Sequence, residues 1–488
     1  MAYSVEHRLP SKIYAHVSPK SRGGVSLFDF DAHKITSDNA EQFVSDVDVI
    51  QRVWQELTEH GFTVLDPCYD LPDDSSTVSI NIAAPPAVYE EYFETILVTE
   101  EREVIQPGAV NLRRTRTYID TARADRPGFI SPEGLPAANL LEGVALEQPA
   151  TTLRGAGPVP DPGYFHLTTD QVAEYLGARS VHARGCTGKG IRLSMVDTGW
   201  EEHPYFTDRG WSGTVLLGPG AADVEVDEDG HGTSESANAF AVAPGIAFTM
   251  VKALSTNLLG AFIEAARQDP PPQIISMSLQ YDRKTELAAL DPLLAAVVSL
   301  AVRNGTIVVC AAGNGHFAFP AQHPDTIAVG GVYRTDGGRL MASNYASAFT
   351  SAFYKDPVRT VPDVCGLVGM RPDATYILLP TPRGSTIDQD QSRRAADGTT
   401  PGDGWALLSG TSAAAPQVAG ACALLLESDP SASPSQVKKL LMQTASPVSE
   451  GWSNLDTGGL SARAGATGRG LVNVDRGFDL VRGLRAMG

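Results

Sequence analysis

The chain has 488 residues, of which 42% are hydrophobic, and it carries a formal net charge of -19 at pH 7 with a sequence pI near 4.9. This length exceeds one compact core and predicts two or three units, one of them large enough to bury an extensive sheet. The acidic balance argues against binding to nucleic acid or anionic membranes, and no apolar stretch approaches the roughly 20 residues that span a bilayer.

The N-terminus and the cysteines bear on where the protein works. The first thirty residues contain no apolar run of the length that a secretory signal needs. The 5 cysteines are scattered without CxxC spacing, and their odd number argues against a disulfide framework. We therefore expect a cytoplasmic protein, or one that is secreted without a signal peptide.

Residues 1–105 predict a small α+β unit. Short strand-like stretches and two amphipathic stretches follow each other in the order βαββαβ. The predicted elements are KIYAHV, NAEQFVSDVDVIQRVWQELTEHG, FTVLD, TVSINIA, PAVYEEYFETIL and LVTEEREVI. Residues 106–163 are rich in Gly, Pro, Ala and Arg and show little periodicity, which predicts a linker or an extended arm.

Residues 164–488 show a different pattern, in which apolar strands alternate with helices. That alternation predicts an α/β unit with a mainly parallel sheet and helices on both of its faces. The predicted strands are IRLSMV, FTMVKAL, IISMSL, TIVVCAAG and TIAVGGV, and the predicted helices are LLGAFIEAARQ, LDPLLAAVVSLAVRN and SAAAPQVAGACALLLESD. Active sites of such folds lie at the carboxyl ends of the strands.

Two polar residues stand where such a site would form. Asp197 ends the strand IRLSMV in the motif DTG, and His231 lies in DGHGT at the start of a predicted short helix. Each motif is weak by itself, because a turn-capping aspartate and a structural histidine are the commoner explanations.

Ser412 carries a more specific signal. The segment SGTSAAAPQVAG places it after Gly410 and Thr411, where an apolar helix begins. The unpaired N–H groups of a first helical turn and the positive end of the helix dipole would lie beside its hydroxyl. We expect Pro416 to be tolerated in the first turn, whose N–H groups have no intrahelical partner. A plain helix cap is the alternative.

Together these residues make up a system for nucleophilic catalysis. A serine hydroxyl is a poor nucleophile unless a histidine accepts its proton, and the histidine needs a carboxylate to fix its tautomer. Asn314, at the end of TIVVCAAGNG, adds an amide that can donate to a developing oxyanion. We therefore predict Asp197, His231 and Ser412 as a catalytic triad and Asn314 as an oxyanion donor.

On these motifs, the region from about residue 164 to 480 resembles the subtilisin-like serine peptidases. The motifs DTG, HGT, SMSL, AAGN and GTSAAAPQVAG occur in that family's order, with Asp before His before Ser. The resemblance implies a seven-stranded, mainly parallel sheet and endopeptidase activity through an acyl-enzyme.

The resemblance also implies a substrate groove. Its residues would be Ser278, Leu279 and Gln280 along one edge and Ala311, Ala312 and Gly313 on the pocket floor. Substrate would lie extended against this edge and pair by main-chain hydrogen bonds. Gln280 stands where many relatives have glycine, so the family's specificity is not carried over.

Two segments depart from the family pattern. The chain between HGT and VKAL is short and lacks the loop that supplies calcium ligands in many relatives, so we expect no calcium there and no other metal or cofactor. The chain between Asn314 and Ser412 is long, and its residues 381–408 are expected to form a surface excursion close to the active site.

The N-terminal unit has two interpretations. Its element order resembles that of subtilase propeptides, small α+β units that assist folding and inhibit the catalytic domain. On that hypothesis the arm at residues 106–163 passes near the groove and contains a processing site. A binding domain unrelated to inhibition is the alternative.

The expected function is that of a serine endopeptidase held latent by its N-terminal region. Its partners would be protein or peptide substrates, with its own N-terminal domain or a separate inhibitory protein as regulators. A catalytically silent binding protein that keeps the subtilase fold is the competing hypothesis. The complete set of Asp, His, Ser and Asn residues argues against that competitor.

Overall fold

The computed structural model describes residues 9–68, 75–105, 113–122, 126–152, 166–284, 288–371, 375–395 and 399–487. Within these residues, the N-terminal unit is built on a five-stranded sheet and the larger unit on a nine-stranded sheet. The predicted processing arm lies partly outside them, since residues 153–165 are not described.

Seven parallel strands form the centre of the larger unit. Their order across the sheet is Gly213–Leu217, Ala247–Lys252, Arg192–Asp197, Ile274–Met277, Ile307–Ala311, Ile327–Arg334 and Val364–Leu367. Leu340–Ala342 and Glu450–Gly451 extend the sheet at one edge. The first and last of the seven are absent from the predicted strands, because GTVLL is only half buried and VCGL is only 4 residues long.

Helices cover both faces of this sheet, as predicted. Successive strand residues point to opposite faces, so Met195 packs in one buried cluster and Val196 in another. The helices of the first face are Thr169–Tyr175, Ala178–His182, His231–Val242, Thr411–Ser428, Pro434–Thr444 and Val474–Met487, and those of the second are Leu258–Ala266 and Leu290–Arg303. None of the helices in the described ranges is long and apolar enough to cross a membrane.

The N-terminal unit is an antiparallel sheet with two helices. The strands lie in the order Thr63–Val64, Ile80–Ala84, Ile13–Pro19, Leu141–Leu146 and Phe129–Ile130, and the helices are Val47–Glu59 and Pro86–Tyr92. Ile50, Val53 and Leu57, spaced along the longer helix, pack with Tyr89 against the sheet.

This unit differs from its prediction after the second helix. The strand Leu97–Ile105 leaves the sheet and forms a hairpin with Arg113–Thr121. The sheet is instead completed by Phe129–Ile130 and Leu141–Leu146, which lie inside the predicted arm at residues 106–163. The fully buried run LEGVAL has no alternation of polar and apolar residues, and glycine- and proline-rich segments surround it, so its sequence resembles a linker.

The N-terminal unit packs on the second face of the larger unit. Phe43 and Val44 lie in the same buried cluster as the helices Leu258–Ala266 and Leu290–Arg303. Across this contact the buried side chains of Asn81 and Asn257 exchange two hydrogen bonds, both of 2.9 Å. The interface is therefore both apolar and specifically hydrogen-bonded.

Within the predicted excursion at residues 381–408, the start of its helix packs beside the loop that precedes His231. This helix is Thr386–Ala395, and its first residue donates its N–H to the carbonyl of Glu228 at 2.9 Å. Trp405–Leu408 pairs antiparallel with Ile377–Pro380. Other short elements include the strand pairs Phe349–Lys355 with Val358–Val361, Ser45–Asp46 with Ser76–Thr77, and Thr151–Thr152 with Leu279–Asp282. The strands Leu167–Thr168 and Ala318–Phe319 and the helix Pro204–Thr207 are also present.

Candidate active site

The carboxylate of Asp197 and the imidazole of His231 form a buried pair. Asp197 is the last residue of its strand and His231 the first residue of the helix His231–Val242. Nδ1 of His231 lies 2.6 Å from Oδ1 of Asp197, and both side chains are completely buried. Hydrogen bonding to a carboxylate assigns the proton to Nδ1, so that Nε2 is left to exchange protons with a reacting group.

Asp227 fixes the start of the helix that carries His231. Its carboxylate accepts hydrogen bonds from the N–H groups of Gly230 and Thr233 at 3.0 and 2.9 Å, and from the hydroxyls of Thr198 and Thr233 at 2.8 Å each. Gly230 has φ 90°, a left-handed conformation that favours glycine. This carboxylate therefore links the DTG turn to the HGT turn. The sequence did not reveal this role, because Asp227 lies in the acidic run DVEVDEDG and most of the residues around it in that run are exposed.

Ser412 lies in the first turn of the helix Thr411–Ser428 and is completely buried. The preceding Gly410 has φ 149°, also in the range that favours glycine. Pro416 falls in the second turn rather than the first, so it withholds the N–H that would normally reach the Ser412 carbonyl. The Ser278 hydroxyl donates to that carbonyl at 3.1 Å, which compensates for the missing bond.

Asn314 is tied to the same helix start. Its Oδ1 accepts hydrogen bonds from the backbone N–H of Thr411 at 2.9 Å and from the Thr411 hydroxyl at 3.0 Å. These bonds fix the orientation of the amide beside the nucleophile's own turn. The remaining amide group, Nδ2, is the donor that the predicted oxyanion role requires.

The structure adds Glu235, which the sequence analysis missed. Its Oε1 accepts a hydrogen bond from the Ser412 hydroxyl at 3.2 Å and lies 3.9 Å from Nε2 of His231. Oγ and Nε2 are therefore brought to the same carboxylate oxygen. His231 and Glu235 are four residues apart in one helix, so both lie on the same helix face. This spacing is the feature of the sequence from which the position of Glu235 beside His231 could have been predicted.

Opposing effects set the charge of this cluster. Burial would lower the pKa of His231, but the carboxylates of Asp197 and Glu235 outweigh it and raise that pKa to about 9. Burial raises the pKa of Glu235 to about 7, although the neighbouring imidazolium opposes the shift. The two groups lie close enough to titrate as a pair.

The predicted groove residues occupy two neighbouring segments. Leu279 and Gln280 belong to the strand Leu279–Asp282, and Thr151–Thr152 from the predicted arm pairs with them in antiparallel register. Gly313 donates its N–H to the Thr411 hydroxyl at 3.1 Å, while Ala311 and Ala312 are fully buried before it. Ser278 and Gly313 thus contact the Ser412 turn directly, and the roles of all six in binding substrate stay predictions.

Metal-binding clusters were sought across the same ranges of the chain. No group of three or more His, Cys, Asp or Glu side chains in the described residues is arranged to hold a metal ion. The 5 cysteines, all of them described, are buried and free.

Comparisons with known proteins identify the family. The model described as the subtilase family matches residues 188–467, more than half of the chain. The chain belongs to the subtilase family. The family match and the similarity to subtilisins show that it is a serine peptidase, as the order of its motifs predicts.

Two bacterial relatives match much of this subtilase by sequence. The extracellular serine proteinase of Thermus sp. strain Rt41A is 28% identical over 448 residues, which is 79% of this chain and 93% of that protein. Subtilisin E of Bacillus subtilis is 27% identical over 348 residues, 64% of this chain and 75% of that protein.

A solved structure supports the fold of this subtilase. Fervidolysin from Fervidobacterium pennivorans, described as a keratinolytic enzyme related to subtilisin, superposes with a TM-score of 0.58 at 17% identity. The match covers 96% of this chain but only 61% of fervidolysin. The predicted subtilisin-like α/β fold is confirmed.

Proposed function

We propose that this subtilase is an endopeptidase that cleaves protein substrates through an acyl-enzyme on Ser412, and that its N-terminal region holds it latent. The catalytic part of this proposal rests on one observation. Ser412 Oγ and His231 Nε2 both approach Oε1 of the buried Glu235, and Asp197 is hydrogen-bonded to the other imidazole nitrogen, Nδ1. Asn314 joins the same cluster through Thr411.

The reaction follows from these positions. Oγ of Ser412 attacks the scissile carbonyl carbon, and its proton leaves for a neighbouring base, for which His231 is the expected group. The oxyanion receives hydrogen bonds from the Asn314 amide and from N–H groups at the start of the serine's helix. Protonation of the amine expels it and leaves an ester on Ser412, which water then hydrolyses.

The latent state rests on the pairing of the arm with the groove edge. Thr152 lies opposite Leu279 and Thr151 opposite Gln280, in the antiparallel arrangement expected of an extended substrate. The arm enters this position from Ala150, whose N–H donates to the Ser255 carbonyl at 2.9 Å. A chain that occupies the edge in this way excludes other substrates until it is cut or displaced.

Covalent labelling tests the catalytic part. A small fluorophosphonate phosphonylates only a serine that is activated as a nucleophile, and peptide mass spectrometry locates the adduct. We expect the adduct on Ser412, and none in a Ser412→Ala variant. Ser409→Ala serves as the matched control, since Ser409 lies three residues earlier and is also buried. Absence of labelling in a folded parent chain whose arm has been cut after Thr152 would instead favour the silent binding protein, because latency no longer explains it.

A further inference from the structure

The closest acceptor for the Ser412 hydroxyl on the His231 helix is a carboxylate. The hydroxyl donates to Glu235 Oε1 at 3.2 Å, whereas Nε2 of His231 is buried with no hydrogen-bond partner among the described residues. Glu235 itself is completely buried. Burying a carboxyl costs free energy that an apolar side chain of similar size would avoid, so its presence beside the nucleophile calls for a role.

Other buried side chains hold this carboxylate in place. Oε2 of Glu235 accepts a hydrogen bond from the Asn238 amide at 2.9 Å, and Asn238 Oδ1 faces the Gln417 amide at 3.4 Å. Gln417 in turn accepts the N–H of Leu367 at 2.7 Å. The bonds connect the two helices that carry His231 and Ser412 to a strand of the central sheet. Glu235 is thereby fixed with its other oxygen toward Ser412.

We propose that Glu235 is a further catalytic residue, a second proton acceptor for Ser412 that acts while His231 is protonated. The proposal deepens the proposed function and rests on it, because it assumes that Ser412 is the nucleophile. A group within hydrogen-bond reach of the proton that it removes meets the geometric requirement for a general base.

The charges around the cluster agree with this role. The buried carboxylates of Asp197 and Glu235 raise the pKa of His231 to about 9, which favours the imidazolium form, and an imidazolium has no lone pair for the serine proton. The pKa of Glu235, at about 7, leaves a large fraction of the carboxyl ionised in the same range. Among the described residues, the titratable groups with a charge interaction with His231 or Glu235 include Asp197 from the central sheet, Asp229 from the loop before the helix, and Tyr345.

The step balances without another reactant. The proton of Ser412 passes to Oε1 of Glu235 while Oγ bonds to the carbonyl carbon. As the C–N bond breaks, the leaving nitrogen takes the Nε2 proton of His231, which becomes neutral. In deacylation, water gives its proton to His231 as its oxygen bonds to the acyl carbon. The C–Oγ bond then breaks, and Oγ recovers the proton from Glu235.

Fluorophosphonate labelling of the full-length chain isolates the proton-acceptor step, because fluoride leaves without protonation. Second-order rate constants would be measured from pH 6 to 10 for the parent and for Glu235→Gln, His231→Gln, the double variant and Ser412→Ala. We expect Glu235→Gln to label at least about 10-fold more slowly than the parent at pH 7.5. His231→Gln should label at least about 10-fold faster than the double variant, with a rate that rises as Glu235 ionises.

Ser236→Ala is the matched control, because this buried neighbour on the same helix bonds only to the carbonyl of Thr233 in the described contacts. It should label within about twofold of the parent. A Glu235→Gln variant that labels as fast as the parent or faster at pH 7.5 would overturn the proposal, since the carboxylate would then only raise the pKa of His231. That comparison stands even where His231→Gln does not fold. Labelling that persists in Ser412→Ala would refute the proposed function instead.

Discussion

At the scale of single residues, the site divides into side chains that sequence motifs reveal and side chains that they do not. Asp197, His231, Ser412 and Asn314 each lie in a short motif at a strand or helix end, and the fold brings such ends together. Glu235 lies inside a helix and has no motif of its own. Only its position relative to Ser412, 177 residues away in the chain, shows that it faces the nucleophile.

Asn314 carries the first residue-scale prediction. Replacing it with leucine keeps the approximate size of the side chain but removes the amide donor, so an oxyanion would lose one hydrogen bond. We expect kcat for a peptide substrate to fall by about 10²–10³-fold with a much smaller change in KM. Steady-state kinetics of Asn314→Leu beside those of Asn304→Leu, at an exposed helix end, would measure this. A loss in kcat below about threefold would remove Asn314 from the oxyanion site.

At the scale of elements, the central strands were predictable because buried parallel strands are continuous apolar runs. The edge strand Gly213–Leu217 and the N-terminal strand Leu141–Leu146 were not. The first exposes part of its surface, and the second lies between segments that resemble linkers. Partner strands from distant parts of the chain stabilise both, and this tertiary pairing is not visible in a local pattern.

The close approach of the two catalytic helices depends on Gly420. A Cβ atom there would lie 2.8 Å from Cβ of Val242 and 2.9 Å from the carbonyl oxygen of Ala239, on the helix that begins at His231. Gly420→Val should therefore force the helices apart and lower the free energy of unfolding by about 1–3 kcal/mol. The activity should fall as well, because Ser412 and His231 move relative to each other.

Denaturant unfolding of Gly420→Val in the Ser412→Ala background measures this cost without self-cleavage. The matched control is Gly483→Val, in the helix Val474–Met487, where an added Cβ meets no atom within 4 Å. The control should unfold within about 0.5 kcal/mol of the parent. Equal stability of the two valine variants would show that the helix contact tolerates a larger side chain.

At the scale of the whole molecule, the N-terminal unit contacts the catalytic unit at two places. Its sheet meets the helices of the second face, with Asn81 bound to Asn257, and its arm continues to the strand at Leu279. The sequence predicted such a unit and an arm near the groove, but placed the end of the unit too early. The cytoplasmic or signal-independent secreted location stays a prediction from the sequence.

The central claim is that Ser412 is the nucleophile of a peptidase and that the arm occupies the edge of its substrate groove. Mass spectrometry of the purified chain tests this claim. We expect the protein to cut itself on the carboxyl side of Thr152, within residues 153–163, since Thr152 lies opposite Leu279 and the adjacent Ser278 contacts the Ser412 turn. The parent should therefore yield a fragment with a new N-terminus in that range, while Ser412→Ala should retain its full 488 residues under the same conditions. An uncut parent, or the same cleavage in the Ser412→Ala variant, would contradict the account.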